Sequence, residues 1–398
     1  MSSNKNGIHD ACQIDAFQGG VGLRVVAGIL LATYIIQNYL VRTTEVDSFV
    51  IAMPVWGLLS IIVLLHVHNK YVFLAVLAWA ILISVYVAAS FADNANGFVQ
   101  LPFFVANGVF FAVVVLSSVR SPRSRSKWIE WGEVVLDVLL FAAIVYWINI
   151  IRVEQQYSPD AAYDIRANNY LIVADLLIIY ALLRMNKNRL LSSILWGGVA
   201  VVGLVLLGSR AAMVFGTVAV LLRLYVVLPR RILIRTGVSA LAAMISWAII
   251  DMAFEESTLA RLFSIVSFQD DQSFNQRSEI FRAWISNTSL YPECLIIPCL
   301  PRQGMYVHNF ISLIEYFGII GALLFLLSIG VIVRALVKGW RIPAFALFAL
   351  CVMQIVLARS FGALVYPIFF AYAFLAIIWL RQRRPEERSV RNTGSVEL

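Results

Sequence analysis

Long apolar runs recur along the whole chain, and they constrain the fold more than any other feature. A helix needs about 20 apolar residues to cross a bilayer, and only helices and closed barrels satisfy their backbone hydrogen bonds there. Hydrophobic residues make up 61% of the 398 residues and charged residues 14%, against about 45–50% and about 25% in soluble domains. The sequence therefore predicts an all-α polytopic membrane protein, with 1–398 as one integral membrane domain.

We expect about twelve transmembrane helices. The predicted spans lie near residues 21–41, 48–66, 71–90, 99–119, 134–152, 168–184, 190–208, 210–228, 233–253, 309–333, 342–358 and 361–380. The longest connection between them is 254–307, and long connections often carry function when the rest is scaffold. Within it, apolar side chains at helical spacing in 257–268 and 275–287 predict short amphipathic helices.

Charge predicts the orientation of these spans. With the N-terminus inside, all five lysines and the basic tail 381–398 fall on the cytoplasmic side, as the positive-inside rule requires. Both termini are then cytoplasmic, and 254–307 lies outside. This topology and contact with anionic membrane lipids explain the net charge of +8 without a nucleic-acid partner. The predicted outer cations are all arginines, which suit phosphate ligands, although topology alone explains them equally well.

The chain has no CxxC, HExxH or GxxxxGK[ST] motif, so the sequence does not support a zinc, metalloprotease or P-loop site. No metal or cofactor is expected. Cys294 and Cys299 share the long outer connection, where a disulfide is permitted if that compartment is oxidising. Their spacing leaves the pairing open.

Arg210 breaks the local pattern. As one helix, 190–228 would extend about 58 Å, nearly twice the hydrocarbon core of about 30 Å. The chain must therefore fold back, and Gly208-Ser209-Arg210 is the obvious place on the outer side. Arg210 is then either an interfacial side chain that reaches the headgroups or a functional residue.

Two further arginines occupy the predicted helix 275–287. If Asn275 caps that helix, Arg277 falls in its first turn, where the helix dipole disfavours a cation. Arg282 lies about 140° around the helix from Arg277 and can pair with Glu279. We therefore expect Arg277 to contact a ligand and Arg282 to be mainly structural, with simple solvation of Arg277 as the alternative.

One of only four histidines stands in the stretch YVHNFISLIEYFGIIG, residues 306–321. Asn309 is a favourable N-cap for a helix that starts at Phe310. His308 would then stand at the positive end of a span, where a neutral imidazole can accept a hydroxyl proton or donate to a phosphoryl oxygen. Glu315 would share its face two turns deeper, and a structural histidine is the alternative. Gly318 and Gly321 are expected to serve helix packing.

The same stretch resembles the hallmark of the O-antigen ligase and polymerase superfamily, a His-Asn pair followed by Glu-x-x-Gly-x-x-Gly. GSRAAM at 208–213 is similar to that family's outer Ser/Thr-Arg-small motif. SFNQRSEIFRAWISNTSLYP at 273–292 resembles its arginine-containing segment. The resemblance covers about 170–380 and departs at 293–301, where the family often has a Gly-x-Gly turn. An arginine in ARSFGALVYP at 358–367, and the lack of an Arg-x10-Gly pattern, favour ligase over polymerase.

The resemblance implies a GT-C-like fold and a metal-independent, inverting glycosyltransferase of the bacterial inner membrane, with a periplasmic active site. The donor would be an undecaprenyl-diphosphate-linked glycan. The acceptor would be lipid A-core in a ligase, or a second lipid-linked glycan in a polymerase. The implied catalytic residues are His308, Arg210 and Arg277. The implied substrate-binding residues are Arg359, Arg282, Tyr306 and Glu315.

Two other readings stay open. A metal-dependent GT-C enzyme would place an acidic pair in the first outer loop, and Glu45 and Asp47 resemble one; a charged interfacial loop explains them as well. A transporter or flippase would need ionisable groups at membrane depth or broken helices. Asp175 is the main acidic candidate for that role, since Asp137 is predicted near the inner surface.

Overall fold

The structure is a computed structural model. It describes residues 21–44, 48–92, 101–119, 131–132, 134–146, 159–185, 190–207, 210–229, 237, 272–291, 295, 309–357 and 363–393. All statements about structure below concern these residues.

The described part of the chain is all-helical and contains no strand. Its helices are α1 Val21–Thr44, α2 Ser48–Leu65, α3 Lys70–Ala92, α4 Leu101–Val119, α5 Val134–Tyr146, α6 Pro159–Arg184, α7 Leu190–Leu207, α8 Arg210–Val227, α9 Gln272–Leu290, α10 Ser312–Val337, α11 Phe345–Leu357 and α12 Val365–Thr393. A helix lies at every predicted span except 233–253, of which residue 237 alone is described. The predicted helix 257–268 falls outside the described residues.

Three of the described helical stretches are long and apolar enough to cross a membrane, namely Lys70–Ala88, Ser312–Val337 and Val365–Gln382. The other apolar helical stretches of the described part, such as Leu23–Ile36 and Ala212–Val227, are shorter, at 10–17 residues. Association with a membrane is therefore supported. The number of crossings and the orientation remain predictions.

The predicted fold-back in 190–228 is confirmed. Helix α7 ends at Leu207 and α8 begins at Arg210, and the two helices pack against each other. Gly216 faces this packing, because a Cβ there would approach the side chains of Ile178 and Leu204.

Contacts at the helix ends show how the C-terminal helices are arranged. Arg223, near the end of α8, donates twice to the Met185 carbonyl after α6 and lies near Tyr372. The Tyr372 hydroxyl donates to the carbonyls of Pro343 and Ala344, directly before α11. The end of α8 thus lies beside the start of α11, and these two packed helices run antiparallel. We call this the Lys338 end of the bundle, since Lys338 ends α10 there.

Buried charges concentrate at the Lys338 end. Arg184, in the last turn of α6, forms an ion pair with Asp137 of α5, and the Tyr180 hydroxyl donates to the same carboxylate at 2.8 Å. Arg223 is also buried, and its bonds to the Met185 carbonyl cap the C-terminal end of α6, where a cation is favourable. These contacts fix the positions of α5, α6 and α8 relative to one another.

We expect Asp137→Leu to destabilise the protein by about 3 kcal/mol, because it leaves the buried Arg184 guanidinium without its carboxylate. The measurement is the thermal unfolding midpoint in detergent. The double variant Asp137→Leu/Arg184→Leu should recover part of the loss. A double variant less stable than Asp137→Leu alone would show that the pair is not the source of the effect.

Candidate functional site

Helix α10 is broken at Gly318. This residue has φ 58° and ψ −151° inside the apparent helix, a combination open essentially only to glycine. The chain therefore forms a short helical piece at 312–317 and a longer one at 319–337. The prediction that Gly318 serves helix packing is wrong, because its role is to change the direction of the backbone.

The short piece folds back along the long one. In a straight helix, Phe310 and Phe325 would be about 22 Å apart along the axis, yet their rings stack with centroids 5.6 Å apart. A Cβ on Gly321 would also overlap the Leu313 carbonyl oxygen, although these residues are eight apart in sequence. Phe310 thus lies level with Phe325, which is about 9 Å along the helix axis from the start of the second piece. Gly321 does allow close packing, but of the short piece against its own helix.

Asn309 and Tyr366 anchor the start of the folded-back segment. The Asn309 side-chain oxygen accepts from the backbone N–H of Ile311 at 2.9 Å. Its carbonyl accepts from the N–H of Ser312 at 3.0 Å and from the Tyr366 hydroxyl at 3.2 Å. Asn309 therefore satisfies backbone donors as predicted, but in a turn, and the helix begins at Ser312, two residues later than expected. Tyr366 ties this turn to the first residues of α12.

The expected place of His308 changes accordingly. His308 lies outside the described residues, but its neighbour Asn309 does not start a long span. The dipole of a whole span cannot be assigned to this position, because the first helical piece ends before Gly318. Glu315 is also placed differently from the prediction. It lies in the first turn of the short piece, and its side chain is buried.

Aromatic rings surround the short piece. The Tyr316 ring lies 5.4 Å from Phe104 and 6.2 Å from Tyr86, and Phe317 lies 6.0 Å from Phe104. The short piece therefore packs against the start of α4 and the C-terminal part of α3. The packing holds the backbone of 312–317 in one position, as a binding site requires.

Described residues that adjoin several predicted site residues in the sequence lie at one end of the bundle, which we call the Asn309 end. The start of α12 is tied there through Tyr366, and α11, which is antiparallel to α8, ends there. Arg210 begins α8 and so lies at the same end. In the sequence, His308 directly precedes Asn309. Arg359 lies between Leu357 and Ala363, which are the described residues on either side of it. The side chains of Arg210, His308 and Arg359 are outside the description, as is all of Tyr306.

The prediction for α9 needs a correction. The helix runs from Gln272 to Leu290, so Asn275 lies inside it and is not its N-cap. Asp271 precedes Gln272 in the sequence and is as favourable a cap residue as asparagine. Arg277 consequently falls in the second turn, and the dipole argument for it no longer holds; its side chain is not described. Arg282 is exposed, as is Glu279, which limits what a pair between them can contribute.

Three buried polar features were not singled out from the sequence. Arg24 and Arg223 are charged residues within predicted spans, and that position was a usable signal. Gln354 is the only large polar residue of α11, is 0% exposed, and neither its amide oxygen nor its nitrogen hydrogen-bonds to any described residue. Leaving such a group unsatisfied costs about 1–3 kcal/mol.

The other sequence candidates have these outcomes. Asp175 is buried in α6 and lies near Cys351 of α11. Glu45, Asp47, Cys294 and Cys299 lie outside the described residues. Among those described, no group of three or more His, Cys, Asp or Glu side chains could hold a metal ion.

Comparisons with known proteins do not identify a family. No protein-family model, no curated protein and no solved structure matches the chain. The case for a function therefore rests on the residues and on the geometry above.

Proposed function

We propose that the protein is a membrane glycosyltransferase that acts at the Asn309 end of the bundle. It moves a glycan from undecaprenyl diphosphate to an acceptor sugar hydroxyl, as an O-antigen ligase that uses lipid A-core. Joining of two lipid-linked repeat units by a polymerase is the closest alternative. In this proposal the Asn309 end faces the periplasm, on the outer side of about twelve spans in the bacterial inner membrane.

One observation carries the proposal. In the sequence, His308 directly precedes the folded-back segment 309–317, Arg210 begins α8, and Arg359 lies between α11 and α12. The segment 309–317, the start of α8, the end of α11 and the start of α12 all lie at one end of the bundle. Sequence order alone does not require this. Lys338, in contrast, ends α10 at the opposite end. Lys70 starts α3 at that opposite end too, because Tyr86, near the other end of α3, contacts Tyr316. This arrangement fits the positive-inside rule.

The chemistry follows from these residue types. The acceptor hydroxyl oxygen attacks the anomeric carbon, and the bond from that carbon to the diphosphate oxygen breaks. His308 accepts the hydroxyl proton. Arg210, Arg277 and Arg359 stabilise the negative charge on the departing undecaprenyl diphosphate, and fixed cations in a partly dry site do this well. A single displacement inverts the anomeric centre.

The cellular test is deletion of the gene followed by electrophoresis of surface polysaccharide. A ligase predicts that full-length polymer accumulates on its lipid carrier while the lipid A-core stays bare. A polymerase predicts single repeat units attached to an otherwise normal core. Unchanged polysaccharide would contradict both forms of the proposal.

A transporter or flippase is the second candidate, and the structure offers two observations in its favour. Helix α10 is broken at Gly318, and Asp175 is buried in α6; both features recur in transporters. If this candidate is correct, Asp175→Asn abolishes glycan assembly while His308→Ala and Arg210→Ala leave it intact. The transferase proposal predicts the opposite pattern in the same assay.

A further inference from the structure

Gln354 lies at the level of the proposed site. The rings of Phe348 in α11 and Tyr372 in α12 are 5.2 Å apart, and these consecutive packed helices are antiparallel. Six residues onward from Phe348 is Gln354, and six residues back from Tyr372 is Tyr366. Gln354 is therefore level with the tyrosine that anchors Asn309. It is also within one turn of the end of α11, beside which α8 begins at Arg210.

The side chain of Gln354 faces the interior. The buried residues of α11 form one stripe that includes Leu347, Leu350, Cys351 and Gln354. Cys351, one turn away on this stripe, lies near Asp175 of α6 and Tyr372 of α12. The stripe thus points between helices and away from lipid. Both polar atoms of the Gln354 amide are held there without a hydrogen bond to any described residue.

We propose that Gln354 binds sugar hydroxyl groups at the Asn309 end, as part of the substrate site of the proposed transferase, on which this inference rests. A carboxamide has two N–H donors and an acceptor oxygen. Phosphate oxygens at neutral pH offer mainly acceptors, so they would satisfy the amide nitrogen and leave the amide oxygen unpaired. A sugar hydroxyl both donates and accepts, and two neighbouring hydroxyls satisfy the whole group.

The test compares binding of two lipids to the purified full-length protein in nanodiscs. One is undecaprenyl diphosphate that carries a single N-acetylhexosamine, and the other is bare undecaprenyl diphosphate. Gln354→Leu should weaken binding of the sugar-bearing lipid about tenfold or more and leave the bare lipid unchanged. Without ligand, the variant should unfold at the same or a higher temperature, since an unpaired buried amide is removed. Met353→Leu on the same helix is the control and should change neither affinity.

Four results decide the proposal. Equal weakening of both lipids would overturn it, because the contact would then not be to the sugar. Unchanged binding of both lipids and of a soluble acceptor oligosaccharide would also overturn it and would favour an internal water as the partner of Gln354. Weakened binding of a soluble acceptor oligosaccharide alone would support the sugar contact and assign it to the acceptor. Failure of the wild-type protein to bind either lipid would contradict the proposed function itself.

Discussion

Gly318→Ala is expected to unfold the segment 309–317 from its place in the bundle. The backbone at Gly318 lies where a Cβ is strained by about 1–3 kcal/mol, and alanine favours a straight continuation of the helix. Continuation would separate Phe310 from Phe325 and pull Asn309 away from Tyr366. We expect a fall of several degrees in the unfolding midpoint and a loss of any activity that depends on this end.

The matched control for this variant is Gly330→Ala in the same helix. A Cβ at Gly330 meets nothing within 4 Å, so alanine there should be neutral or stabilising by about 0.5–1 kcal/mol. The fold-back itself can be read from chemical cross-linking of cysteines introduced as Phe310→Cys and Phe325→Cys. Cross-linking should be efficient in the parent and lost with Gly318→Ala. Equal midpoints for Gly318→Ala and Gly330→Ala, with cross-linking retained in both, would show that α10 is not broken.

His308→Ala is expected to lower the rate of glycan transfer by about 10²–10⁴-fold, the usual contribution of a general base. The assay is transfer by purified protein with saturating substrates, which separates the chemical step from binding. Arg210→Ala should also reduce the rate, and Arg210→Lys should restore little of it if the contact is bidentate.

The control for His308→Ala is His68→Ala. His68 is exposed in the turn between α2 and α3, and its Nδ1 contacts the Leu65 carbonyl. This turn precedes Lys70 and so lies at the Lys338 end, far from the proposed site. Equal loss of activity in both histidine variants would indicate a general effect on folding. Full activity of His308→Ala would remove His308 from the mechanism.

The helix positions were predictable because, in a chain of this composition, a long apolar run has one main explanation, which is a membrane helix. The break at 208–210 was predictable for the same reason, since a run of 39 residues cannot stay straight in a bilayer about 30 Å thick. Both inferences depend on length, which a sequence states directly. The ion pair between Asp137 and Arg184 was not predicted, although each residue stood near the end of a predicted span.

The fold-back of α10 could not be predicted from its glycines. A glycine that lets two helices approach and one that adopts a positive φ look the same in a sequence. The start of α9 was missed because several polar residues before it can cap a helix equally well. Gln354 did carry a signal, as a lone large polar side chain in an apolar run. The antiparallel packing of α11 and α12 was needed to show that Gln354 lies level with Tyr366 along the helix axes.

The central claim is that this protein forms a glycosidic bond at the Asn309 end. The most direct measurement is to reconstitute the purified protein in liposomes with an undecaprenyl-diphosphate-linked glycan and an acceptor, in the presence of EDTA, and to follow both the product and the released undecaprenyl diphosphate. We expect one undecaprenyl diphosphate to be released for each new bond, with loss of both signals in His308→Ala. Movement of the intact lipid-linked glycan across the bilayer, with no bond formed, would contradict this claim.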